Sequence, residues 1–252
     1  MLPPENPFDD LVAGDATPER WLKFISSFEL QGWPVGVAIE AAVTAVTGWR
    51  SRRELTNLQR LLVAMQATHQ RLVASGVISR DARYHEPPAH GEFPFTEVVH
   101  EVVQKTLVES YRQKIPFYGG FLYNLGMRRD LTSNAAADEV IELFATVGGL
   151  RPRQFSLLAY AARSAEFSIL STTTYNTSTV ADVSLGSLIA DLEGLQQAGL
   201  VAAPKGSGRG VIYTDTTLTY RGQRVAELCA VDQVEEKVIT TIRSELLRIY
   251  GE

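Results

Sequence analysis

One helical stripe constrains this chain more than any other feature of its sequence. Leu55, Leu58, Leu62, Met65, His69 and Leu72 follow one another by three or four residues, which on a turn of about 3.6 residues places all six side chains on one face. A strand would scatter them over two faces. The spacing predicts a helix that ends near Gly76, a residue free to adopt the positive φ that closes many helices. The same periodicity predicts a helix through Val98, Val99, Val102, Val103 and Leu107, with Glu97, Glu101, Lys105 and Glu109 on the opposite face. Leu131-Thr-Ser-Asn supplies capping residues for a helix over about Ala135 to Val147, stopped by Gly148-Gly149. Arg151-Pro152 restarts the chain, because proline fits a first helical turn, and Phe155, Leu158, Ala159 and Ala162 mark the buried side. Before residue 165 neither a strand nor an internal repeat is expected.

Two segments between these helices have a different character. Residues 78–94 hold Pro87, Pro88, Gly91 and Pro94 and read as a long loop. From Ile115 to Met127 four aromatics alternate with three glycines, which predicts close packing of backbone against neighbouring elements. Upstream, Val35 to Trp49 is the most membrane-like stretch. It contains Glu40 and falls short of the roughly 20 apolar residues a spanning helix needs, so a buried helix is expected. An interfacial helix is the alternative, given Trp33, Trp49, Arg50, Arg52 and Arg53 around it.

Composition narrows the function classes. With 45% apolar and 21% charged residues in 252, the chain has the material for a buried core. A net charge of −5 argues against a surface that clings to nucleic acid throughout. A single cysteine, Cys229, forms no internal disulfide and fits a reducing compartment. The first residues, Met1-Leu-Pro-Pro-Glu-Asn-Pro, lack the charged and apolar regions of a secretory signal, so a cytoplasmic location without a transmembrane segment is expected.

Beyond residue 165 the pattern changes. Thr172-Thr-Thr-Tyr-Asn-Thr reads as a loop or short strand. Leu185, Leu188, Ile189, Leu192 and Leu195 give a helix ending at Gly199. There follow strand-like Leu200-Val-Ala-Ala, a turn in Pro204-Lys-Gly-Ser-Gly-Arg-Gly, strand-like Val211-Ile-Tyr-Thr, and Thr217-Leu-Thr-Tyr-Arg-Gly leading into a further helix. This order, with its Leu-Thr-x-x-Gly, resembles the winged-helix superfamily over about residues 150–230. Val231, Val234, Val238, Ile242, Leu246 and Ile249 then suggest an amphipathic C-terminal helix that docks on the body or on a second subunit. Over roughly residues 34–200, Pro34-Val-Gly with its apolar helix and arginine cluster, Lys114-Ile-Pro-Phe-Tyr-Gly-Gly-Phe-Leu-Tyr-Asn-Leu and Leu150-Arg-Pro-Arg-Gln-Phe-Ser-Leu-Leu resemble the abortive-infection alpha family of bacterial helical proteins. That resemblance implies a role in phage resistance and brings no catalytic motif.

No constellation here carries an enzyme's chemistry. His85-Glu-Pro-Pro-Ala-His90 fails as a metalloprotease signature, since its prolines forbid a helix and its histidines are five apart. His69 lies on the leucine stripe, where a hydrogen-bonded core histidine is expected. Gly206-Ser-Gly-Arg-Gly precedes a strand instead of opening a helix, so it suits a hairpin wing better than a phosphate loop. Gly186-Ser187 lacks the spacing of a nucleophile elbow, and Cys229 reads as a small core residue. No catalytic, cofactor or metal site is therefore expected.

The expected architecture is mainly α: an N-terminal segment (1–33), a multi-helix region (34–148), a winged-helix-like α+β region (149–230) and a C-terminal helix (231–252). Charge decides what the winged-helix-like region does. From Leu150 to Ala230 seven basic residues (Arg151, Arg153, Arg163, Lys205, Arg209, Arg221, Arg224) face six acidic ones (Glu166, Asp182, Asp191, Glu193, Asp215, Glu227), a balance of only +1. The helix in the recognition position, Ser184 to Ala198, carries Asp191 and Glu193 and no cation, although phosphate contacts call for cations. The expected function is non-enzymatic protein interaction or self-association. DNA-binding regulation is the alternative, and a membrane-active effector using residues 35–49 the second. Candidate contact residues are Lys205, Arg209, Gln196, Gln197, Arg221 and Arg224.

Overall fold

The stripe from Leu58 to Met65 does become the buried face of a helix. A computed structural model describes residues 52–77, 96–126, 134–163, 183–202 and 217–248 of the chain, and these are mainly helical. Helix α1 (Arg52–Ala74) ends where expected, with Gly76 at φ +72°. Leu58, Leu61, Leu62 and Met65 are buried along it, and Leu72 is half-buried. His69 is half-buried, its Nδ1 2.8 Å from the hydroxyl of fully buried Tyr123. Helix α2 (Thr96–Val108) presents Val98, Val99, Val102, Val103 and Leu107 to the same core.

The aromatic and glycine segment is itself a helix, α3 (Ile115–Gly126), which packs along α1 and α2. Gly119 explains the closeness. A Cβ on Gly119 would stand 2.6 Å from the Ala64 Cβ and 2.9 Å from the Leu61 carbonyl oxygen of α1. Tyr118, Phe121 and Leu122 of the same helix are fully buried.

One charge of α2 departs from its expected solvent face. Glu109 lies just beyond the last helical residue, so the helical period no longer sets its direction, and it is buried. Its Oε2 accepts from the Tyr118 hydroxyl at 2.6 Å and pairs with the equally buried Lys114 at 3.2 Å; its Oε1 accepts from the Tyr111 amide. Burial pushes the Glu109 carboxyl up, and the Tyr118, Tyr111 and Lys114 donors together more than reverse it, leaving the group below the usual carboxylate range. Burial holds Lys114 below the usual lysine range, only partly offset by Glu109. Asn57 of α1 donates to the carbonyls of Thr106 and Leu107 and so caps the end of α2, and both Asn57 and Arg53 donate to the Glu109 carbonyl just beyond it.

The chain forms two compact units, residues 1–138 and 139–252, dividing inside α4 (Asn134–Gly149). In the second unit α5 (Pro152–Arg163) is the central element. It packs on α6 (Val183–Gln197), α7 (Tyr220–Leu228), a 3-10 turn (Val231–Gln233) and α8 (Glu236–Arg248). This breadth of contact buries Leu157 and Ala161 with Phe155, Leu158 and Ala159, whereas Ala162 is exposed, contrary to expectation.

The C-terminal segment belongs to this unit and is not one continuous helix. Arg163 donates to the carbonyls of Asp232 and Val234 and to the Glu236 carboxylate, fixing a break before α8. The helical phase restarts at Glu236, so Ile239 and Ile242 are buried and Val238 is exposed. Cys229 is buried as expected, and burial pushes its thiol up. Among the described residues no strand forms. Residues 200–202 and 217–219 instead meet in one antiparallel bridge, Val201 with Leu218.

Candidate interaction face

The residues that set the presentation of α6 begin at the first turn of α5. Arg151 and Arg153 stand at the N-terminus of that helix, where the macrodipole disfavours cations unless an anion meets them. Asp191 of α6 is that anion. It is 3% exposed, and its Oδ2 pairs with Arg153 Nε at 2.6 Å while Oδ1 lies 3.4 Å from Arg151 Nη1. Arg153 Nη2 also donates to Ser187 Oγ at 2.6 Å. Gln154, itself buried, accepts from the Arg151 amide and donates to the Asp191 carbonyl, lying across Gly194, whose Cβ would come within 2.5 Å of its amide nitrogen. Together these contacts clamp α6 onto α5.

The clamp separates the two acids of α6. Asp191 and Glu193 are two residues apart and so point different ways on a helix; Asp191 is spent inside the clamp and Glu193 is exposed. Ala190, Glu193 and Gln197 are exposed, with Gly194 and Gln196 half-buried. An open groove of about 460 Å³ runs beside this face, lined in part by Ala145, Thr146, Gly149, Ala190, Gly194 and Gln197.

The other end of α6 is fixed by the Leu-Thr-x-x-Gly sequence. Thr219 caps α7, its Oγ1 accepting from the Gly222 amide at 2.9 Å and donating to the Gly199 carbonyl at 2.6 Å. Gly222 has no room for a side chain, because a Cβ would run into the Leu200 carbonyl oxygen. Gly199 closes α6 at φ +70°.

Of the six candidate contact residues, Gln196 and Gln197 lie in the last turn of α6. Arg221 is half-buried and donates to Thr146 Oγ1 at 2.8 Å. Arg224 is buried, its guanidinium 6.0 Å from the Tyr220 ring. Lys205 and Arg209 lie outside the described residues, as do Val35 to Trp49, His85, His90 and the glycine-rich turn. Among the described residues no group of three His, Cys, Asp or Glu is arranged to hold a metal, and no helix is long and apolar enough to cross a membrane. The clamp residues Arg151, Arg153, Gln154 and Asp191 escaped the sequence reading as a unit. Their signal was two arginines at a helix N-terminus, an arrangement that asks for a carboxylate. Compared with protein-family models, curated proteins and solved structures, the chain matches none.

Proposed function

We propose that the second unit carries a winged-helix-like module through which a non-enzymatic protein contacts another protein. The observation that carries this reading is the outward face of α6: Ala190, Glu193 and Gln197 are exposed, and none of the side chains described on that helix is a cation. Such a face offers phosphate no cation of its own, while small and amide side chains let another protein approach closely. The order of α6, an antiparallel pairing at residues 200–202 and 217–219, and α7 supports the winged-helix part of the reading. Phage defence, implied by the resemblance to the abortive-infection alpha family, is the setting we propose for it.

DNA-binding regulation is the competing reading, and it would rest on Lys205 and Arg209 in the wing. A photo-crosslinking residue placed at Gln197 of the full chain distinguishes the two. It should capture a discrete protein from extract of the source cells, and Ala190→Arg should abolish that capture without lowering the melting temperature. Crosslinking to nucleic acid, or capture indifferent to Ala190→Arg, would overturn the proposal.

A further inference from the structure

Resting on that reading of α6 as the contacting helix, we infer that Asp191 determines specificity against polyanions, by neutralising from beneath the guanidinium of Arg153 and, at 3.4 Å, that of Arg151 beside the proposed interaction face. The carboxylate comes from the buried side of α6 and is 3% exposed, whereas the arginine side chains are 31% (Arg153) and 68% (Arg151) exposed. The cations are therefore at the surface and their counter-charge is beneath it. Arg153 is engaged at two of its five N–H donors, by Asp191 at 2.6 Å and by Ser187 at 2.6 Å, and both contacts hold its guanidinium against α6. The three groups sum to +1 as they stand and to +2 without the carboxylate, at a helix end that itself favours anions. Glu193 carries the same charge as Asp191, yet it is exposed and bonds neither arginine, so it repels polyanions only through solvent.

The test is duplex binding by the full chain, using a short DNA of random sequence titrated from low to physiological salt. Asp191→Asn should bind roughly 10-fold tighter at low salt, and its log K against log salt should steepen by about 1 to 2, at about 0.9 for each phosphate newly neutralised. Adding Arg151→Gln and Arg153→Gln should return the wild-type slope. Glu193→Gln removes an equal charge but frees no guanidinium, so its slope should stay at the wild-type value. An Asp191→Asn slope no steeper than that of Glu193→Gln would overturn the inference. If Asp191→Asn loses its cooperative melt, Asp191→Leu combined with Arg153→Met removes both partners of the buried pair and frees Arg151 alone. That variant should steepen the slope by about 1, and an unchanged slope would contradict the inference equally. The two claims fail separately: a wild-type chain that binds one DNA site tightly defeats the protein-interaction reading, whereas a flat variant slope defeats only the role of Asp191.

Discussion

Glu109 and Asp191 are both carboxylates buried against cations. For Glu109 the reason is position: it follows the last residue of α2, so the chain turns it inward to Lys114, Tyr118 and the Tyr111 amide. Because its folded pKa lies below the ordinary value of 4.5, the stability it contributes is complete above that pH and is lost as pH falls through the folded value. Glu109→Gln should therefore flatten the acid limb of a stability profile measured by urea unfolding. At neutral pH the same substitution should cost about 3 to 5 kcal/mol, since it leaves Lys114 buried without its counter-charge. A wild-type acid limb in the variant would show that Glu109 does not titrate as described. Neither pairing was legible in the sequence, because Lys114 and Arg153 lie on other elements from the acids they meet and only tertiary packing selects them.

Elements were more legible than pairs. Apolar spacing locates α1, α2 and α6, and capping chemistry locates α4 and α5, because these signals are local and survive whatever the neighbours do. What spacing could not supply is phase across a break: Val231 and Ile242 are buried as their shared helical period predicts, while the Arg163 contacts interrupt the helix between them, leaving Val238 exposed and burying Ile239 instead. Leu218-Thr-x-x-Gly222 is the best case of a motif with a mechanism, since Thr219 caps α7 and Gly222 lets it seat on the Leu200 carbonyl. Gly222→Ala should consequently cost about 3 kcal/mol in chemical denaturation, as backbone rather than a movable side chain blocks the new methyl. A loss under about 1 kcal/mol would mean that α7 does not seat on the end of α6 in this way.

At the scale of the whole chain, the mainly helical class follows from periodicity, and the two units follow from where contacts concentrate, which no local pattern reveals. The proposed interaction face lay between these cases: the sequence marked the lack of cations on α6, but could not show that one of its two acids is turned inward to hold α5. The central claim is that this face meets protein and not a DNA sequence, and selection from a pool of random duplexes by the full chain at physiological salt tests it most directly. The account predicts that no motif is enriched over successive rounds. Enrichment of a sharp motif bound at about 10⁻⁸ M or tighter, above all a palindrome with half-sites about one helical turn apart, would contradict it.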